Sequence, residues 1–324
     1  MLYDPNCLLP TKENLIHPPP PGAYVYFECP QFAPHVGFRY ANAAWAADAS
    51  MFAYARMGAQ RMDEAYYRGI LQKAGFEAEH IKLFGDCFVD DAKTARGFSA
   101  GNAQFAVLAF RGTESETSHD LWADLLLGLT DNSAAEGAQV HHGFQHYLDS
   151  IWADVKAAVE AYRKAYGKQE ICITGHSLGA AIATLAFQRL QDPGSSLYTF
   201  GCPRVGNVEF NLALAKTAET RGCYRIVDHQ DVVTHVPPPL LYTHPNCSLY
   251  WIDELGDVSK IETELHADLE AIAKLCSDLA LKNIKMKAHI PRALADHSPV
   301  RYCHWIGRKA NAAPEPPPQT RPVL

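Results

Sequence analysis

A chain of 324 residues with 48% hydrophobic side chains has the material for one large domain or two ordinary ones, and for a substantial core. No stretch approaches the roughly 18 uncharged apolar residues that a membrane span requires. A net charge of -7, without a basic stripe interleaved with aromatics, argues against nucleic acid as a partner.

The opening segment, residues 1–22, is proline-rich and reads as an extended arm over the surface. It has neither a charged n-region nor an apolar h-region, so the chain as written reads as cytoplasmic, with a non-classical export route left open. An alanine-rich pattern from Arg39 to Gly58 predicts a helix with Trp45, Phe52 and Tyr54 as apolar bulk. A second helix is expected over Met62–Ala74. Strands follow at Ile81–Phe84, about Thr94–Phe98 and, after a Gly101-Asn102 turn, Gln104–Arg111, where QFAVLAFR reads as a buried run. A loop and a helix over Ser150–Tyr166 come next.

The run Ile171-Cys172-Ile173-Thr174 reads as a buried strand, and Ala180-Ala181-Ile182-Ala183-Thr184-Leu185 as a small-residue helix. Between them stands Gly175-His176-Ser177-Leu178-Gly179. A Gly-x-Ser-x-Gly in that setting is the pattern of a nucleophile elbow. The turn forces the serine into a strained backbone conformation and lifts its hydroxyl to the amino end of a helix, where developing negative charge is favoured.

Beyond it, strands are expected at Leu197–Phe200, Tyr224–Val227 and Ser248–Asp253, with a helix over Val208–Thr220. Apolar residues at Ile261, Leu265, Leu269, Ile272, Leu275 and Leu279 predict an amphipathic helix from Val258 to Leu281. Strands alternating with helices indicate a mainly parallel sheet covered on both faces. Nothing marks a linker before Arg308, so residues 1–308 read as one domain, and the proline-rich 309–324 as a disordered tail.

The nine cysteines are odd in number, scattered, and lack a Cys-x-x-Cys pair, so reduced thiols are expected rather than a disulfide framework. Cys172 reads as a small core residue. His141, His142 and His146 lie close together, but no cysteine or carboxylate follows at ligand spacing. Neither a metal nor a cofactor is expected.

A serine hydroxyl needs a base, and the base needs an acid to hold it. In an elbow-bearing sheet the acid and then the histidine follow the serine, on loops after later strands. Asp228 and Asp231 both follow the strand Arg225-Ile226-Val227, and the residues alone leave the choice between them open. Among the later histidines, His266 and His304 fall on expected helices. His297 immediately precedes Ser298-Pro299, an N-cap followed by proline at the first helical position. That puts His297 in a loop at the mouth of a helix, with His244 as its competitor. An oxyanion hole needs two donors. The backbone N–H of Leu178 is one, and the loop after QFAVLAFRGT points to Thr113 as the other.

Taken together, AFRGTE, HDLWADLL, HHGF, ITGHSLGAA, YTFGCPRVGN, RIVDHQDVVTHVPP and DHSPVRY resemble, in order, the blocks of the class 3 lipase family, which includes the filamentous-fungal triacylglycerol lipases. The likeness spans about Asn42 to Tyr302. It implies an α/β-hydrolase fold, Ser177, Asp231 and His297 as triad, and Thr113 with Leu178 as oxyanion hole. The family's aspartate precedes the hydrophobic pair and the prolines, which selects Asp231 over Asp228. His142 resembles a family position that supports the site, and Arg204 and Asn207 resemble scaffold positions. The chain departs from the family in a long loop before His297 and in Thr234-His235, where the family often has proline and a basic or apolar residue.

Two segments are candidates to cover the site or touch lipid. Residues 114–129 gather Leu121, Trp122, Leu125, Leu126 and Leu127, as a lid or as a fixed helix. Residues 282–292 interleave Lys282, Lys285, Lys287 and Arg292 with apolar residues, as a lipid-facing stretch or as a solvated flank of a buried helix. The activity implied is a serine hydrolase of carboxylic esters, foremost acylglycerols. A phospholipase A, including a toxin-like effector, and a non-catalytic lipid-binding protein on the same scaffold are the alternatives.

Overall fold

Strands with apolar residues at nearly every position must be covered on both faces, and that requirement organises this chain. The computed structural model describes residues 24–28, 32–34, 37–55, 64–85, 96–112, 128–219, 221–261 and 295–312. Strands β1 (Lys82–Phe84), β2 (Gly97–Gly101) and β3 (Phe105–Phe110) occupy one side of an eight-stranded sheet. Next to them come β6 (Glu170–His176), β7 (Ser195–Phe200), β8 (Cys223–Asp228), β9 (Ser248–Ile252) and β10 (Val258–Ile261). A separate antiparallel hairpin joins β4 (Leu129–Asp131) to β5 (Gln139–His141). From β3 to β9 the neighbours are parallel, and antiparallel pairs close both edges.

The period of two divides each central strand between two cores. In β3, Ala106, Leu108 and Phe110 enter one cluster, while Phe105, Val107 and Ala109 enter the other. Likewise Ile171 and Ile173 of β6 face one way and Cys172 the other. One face is covered by α3 (His142–Tyr166) and α4 (Leu178–Leu190), the other by α1 (Tyr40–Phe52) and α6 (Pro299–Ala312). The described residues hold two further helices, α2 (Glu64–Lys73) and α5 (Val208–Ala218). Small residues let α1 lie close against the sheet: every residue from Ala41 to Phe52 is buried, and the Thr174 hydroxyl donates to Ala46 O at 3.0 Å.

Register brings the functional ends together. Phe110 pairs with Gly175, His176 with Phe200, and Phe200 with Ile226, so β6, β7 and β8 finish side by side.

The structure corrects several expectations. Cys223 and Cys247 form a disulfide across 24 positions, so the thiols are not all reduced; Cys172, Cys202 and Cys303 are buried and outside any disulfide among the described residues. The helix expected from Val258 does not begin there: Val258–Ile261 is a strand, paired with β9 through a tight turn at Asp253–Asp257. Ile261, read as the start of a helical stripe, instead pairs with Leu249. Helix α3 starts at His142 rather than Ser150, and α6 continues to Ala312, into the expected tail. The second strand runs over Gly97–Gly101 rather than Thr94–Phe98. Asn102 closes its hairpin by accepting from the N–H groups of Gln104 and Phe105. The arm 1–22, the tail beyond 312, and residues 262–294, including 282–292, lie outside the described residues.

Candidate active site

Ser177 stands at the junction of β6 and α4 with φ +59° and ψ −129°, in the positive-φ region that non-glycine residues rarely occupy. Its N–H donates to Phe200 O at 3.0 Å, and its carbonyl accepts from Ala180 and Ala181, which fixes the turn between strand and helix. The glycines two positions to either side are steric necessities. A Cβ on Gly175 would lie 2.2 Å from Gly179 O, and one on Gly179 would lie 2.2 Å from Phe110 O. Ser177 is only 2% exposed. Leu178 opens α4, so its N–H belongs to the first helical turn, whose amides have no intrahelical acceptor.

Asp231 lies just past the end of β8 and is fully buried. Its carboxylate accepts from Val233 N–H at 2.9 Å and from the Tyr302 hydroxyl at 2.6 Å. Both of its oxygens lie 2.9 Å from His297 Nδ1. Burial alone would raise the pKa of this group. The adjacent His297, the hydrogen bonds from His297 and Tyr302, and nearby His176 outweigh that and hold the carboxyl below its usual range. With Nδ1 as donor to the carboxylate, His297 presents Nε2 as the acceptor, a buried atom with no hydrogen-bond partner among the described residues.

Gly201, at the end of β7, shows how tightly these groups converge. A Cβ there would sit 2.6 Å from Asp231 Oδ2 and 3.0 Å from the His297 ring, and its φ of +59° also favours glycine.

The competitors take other roles. Asp228 faces Arg301, which donates from Nε to Oδ2 at 2.8 Å. Burial pushes its carboxyl up to about 7 against the pull of that guanidinium. His244 lies 3.1 Å from a terminal nitrogen of Arg204. Arg204 is fully buried and donates to the carbonyls of His235 and Pro237, and Asn207 caps α5 through Phe210 N–H. Both act as scaffold. His142 is exposed on the first turn of α3, and it is His141 that is buried, stacked on Phe144 at 4.0 Å. Thr113 and residues 114–127 of the candidate lid lie outside the described residues.

Three site residues escaped the reading of the sequence. His176, inside the pentapeptide itself, donates from Nε2 to His297 O at 2.7 Å. Its Nδ1 then accepts from the Tyr54 hydroxyl at 3.0 Å. That tautomer requires a neutral ring, and burial, followed by the proximity of His297, drives its basicity well below the ordinary histidine value. Tyr302, five positions after His297, donates to Asp231 and accepts from the N–H of Asp228. Its place in DHSPVRY was visible; its partner was not. Among the described residues no group of three histidine, cysteine or acidic side chains is placed to hold a metal ion, and no helix is long and apolar enough to cross a membrane.

Comparison with known proteins agrees with this geometry. The model of the family described as lipase (class 3) matches residues 107–241. The secreted mono- and diacylglycerol lipase 1 of Fusarium solani is 39% identical over 119 residues, 36% of this chain and 35% of that protein. A triacylglycerol lipase structure, whose catalytic centre is described as a serine protease triad, is 27% identical and superposes with a TM-score of 0.51, covering 61% of this chain and 77% of the other. The mono- and diacylglycerol lipase of Aspergillus oryzae is 19% identical with a TM-score of 0.57, covering 83% of this chain and 100% of the other, a likeness of fold alone. The α/β-hydrolase fold is thus the fold of this chain. It spans about a third to two fifths (35% and 42%) of the length of the first curated relatives it matches. The cytoplasmic expectation is overturned. The Fusarium solani relative and two from Malassezia globosa are named as secreted, which points to an extracellular location, and the Cys223–Cys247 bond suits an oxidising compartment.

Proposed function

We propose, from the match of residues 107–241 to the model of the family described as lipase (class 3), that the chain is a serine hydrolase of carboxylic esters, acting foremost on acylglycerols. We read residues 1–308 as one hydrolase domain. The observation that supports this most directly is the buried Asp231–His297 pair, whose Nε2 has no partner among the described residues, bonded through His297 O to His176, the neighbour of a serine held at positive φ.

The mechanism follows from the chemistry of those groups. Ser177 Oγ attacks the ester carbonyl while His297 Nε2 takes its proton. Asp231 fixes the tautomer through Nδ1–H and stabilises the imidazolium, and its lowered pKa keeps it anionic for that task. The Leu178 N–H, at the positive end of α4, donates to the oxyanion, with Thr113 as second donor. His297 then returns the proton to the departing alcohol. Water, activated by the same base, releases the acyl group. No step calls for a cofactor. The substrate is a lipid or small ester, and residues 114–129 and 282–292 are the proposed contacts with a lipid surface.

The test is hydrolysis of p-nitrophenyl esters of increasing chain length and of emulsified mono-, di- and triacylglycerol, with Ser177→Ala as control. Serine-dependent turnover that rises on long chains or emulsions supports a lipase. Turnover confined to short soluble esters reduces the reading to an esterase. If wild type and variant are equally inert on all of these, phospholipid is the next substrate. Failure there, with no phosphonate labelling of Ser177, overturns the enzymatic reading in favour of a binding protein.

A further inference from the structure

His297 reaches the site from residues 295–312, which among the described residues contribute no strand to the sheet. It follows residues 262–294, and α6 begins two positions later, so the sheet's ladder does not fix the base as it fixes Ser177. What ties it down is a charged cluster at the end of β8. Asp228 and Asp296 are both fully buried. Arg301, in the first turn of α6, donates to Asp228 from Nε at 2.8 Å and from a terminal nitrogen at 3.3 Å. The same terminal nitrogen lies 3.0 Å from Asp296 Oδ1. The other oxygen of Asp296 accepts from Gln230 N–H at 3.2 Å and faces His229 Nδ1 at 3.3 Å. The turn Asp228-His229-Gln230-Asp231 is thereby bonded to the residue before His297, and α6 is bonded back to the start of that turn.

We infer that Arg301 and Asp296 are positioning residues that set His297 against Asp231: the guanidinium fork locks the loop carrying the base onto the turn carrying the acid. The inference rests on His297 and Asp231 acting as base and acid. A guanidinium fits this place because its fixed fork hydrogen-bonds Asp228 with defined direction while its charge lies against Asp296, whereas a lysine ammonium supplies charge without the fork. Tyr302 adds a parallel tie through its hydroxyl, but it reaches the acid and not the base loop. The Arg301–Asp296 contact, with those of Gln230 and His229, reaches the residue bonded to His297 itself. Displacing a catalytic group by about 1 Å costs on the order of 100-fold in rate, so a small shift of this loop is enough to be measured.

The experiment compares Arg301→Met, Arg301→Lys and Asp296→Asn with wild type and with His297→Ala, on one soluble ester. It records kcat, KM, thermal midpoint and the downfield proton resonance of the His297 Nδ1–H. Arg301→Met is expected to lose about 10- to 100-fold in kcat with KM within about twofold, and to shift or broaden that resonance. Arg301→Lys should recover part of the rate by restoring the charge. Asp296→Asn, which keeps the side-chain volume and a carbonyl acceptor, tests the same tie should Arg301→Met fail to fold. Folded variants with wild-type kcat and an unmoved resonance overturn the inference. So does a lowered thermal midpoint with wild-type kcat at a temperature where the variant is folded, which marks the cluster as merely structural. If His297→Ala is as active as wild type, it is the underlying catalytic reading that fails.

Discussion

Removing one oxygen atom, by Tyr302→Phe, tests how the acid of the proposed triad is held. The residue is 1% exposed, and its hydroxyl has two partners: it donates to Asp231 Oδ2 at 2.6 Å and accepts from Asp228 N–H at 3.0 Å. Burial first, and then the charges of Asp231 and Asp228, push its ionisation well above the ordinary phenol range, so it remains a donor at neutral pH. Deleting the hydroxyl removes a hydrogen bond to a charged group, worth about 1.5–3 kcal/mol, and leaves a buried N–H unsatisfied at about 1–3 kcal/mol. The phenylalanine ring keeps the packing against Phe200 and His176, so little cavity term is added. The expected loss is about 3–5 kcal/mol of folding stability, or a fall in midpoint of about 6–15 °C for a domain of this size. Turnover, measured where the variant is folded, should fall about tenfold, equivalent to about 1.4 kcal/mol, because Asp231 keeps its bonds to His297 and Val233. Urea unfolding and calorimetry give the first quantity and ester hydrolysis the second. A stability loss below about 1 kcal/mol with unchanged turnover would refute the reasoning.

Gly201→Ala should place a methyl against Asp231 and the His297 ring at a backbone φ of +59°. We expect turnover to fall about 100-fold or more, read in kcat and in the rate of phosphonate labelling. Asp228 gives a pH signature. Its carboxyl is pushed up to about 7 in the folded protein, against about 3.9 unfolded, so its contribution to stability is fully present below about 4 and is lost as pH rises through about 7. The difference in unfolding free energy between wild type and Asp228→Asn should therefore shrink from pH 4 to 8; a difference that is flat or grows contradicts the assignment. Replacing Cys223 and Cys247 together with serine opens a loop of 24 positions and should cost about 2–4 kcal/mol in urea unfolding. An unchanged midpoint would show that the link adds nothing to the folded state.

Legibility in the sequence followed the range of the forces involved. The elbow was visible because its strand, its glycines and its helix are contiguous, and each glycine is required by a contact within four residues or with the neighbouring strand. Central strands such as Phe105–Phe110 were visible as unbroken apolar runs. The Leu129–Asp131 and Gln139–His141 hairpin was not, because three-residue strands with half-exposed positions leave too little alternation to read. The choice between Asp228 and Asp231 could not be made from the residues alone, since both follow the same strand; in space Asp231 meets His297 and Asp228 meets Arg301. Tyr54 and His176 were equally hidden. Their contact joins positions 122 apart, and no local pattern encodes it. The disulfide was missed for the same reason, because an odd count of scattered cysteines does not say which two the sheet will bring together.

The backbone at Ser177 carries a further consequence, an evolutionary one. A non-glycine residue in that conformation costs on the order of 1–3 kcal/mol, and the surrounding turn, fixed by Phe200 O and by two glycines without room for a Cβ, gives it no way to relax. The hydroxyl is kept there against the preference of its own main chain. A lineage freed from hydrolysing esters would gain stability by drifting to glycine at this one position, with the sheet, the helices and the buried Asp231–His297 pair left as they are. Glycine between the two glycines is thus the mark by which a retired member of this architecture can be told from a working one.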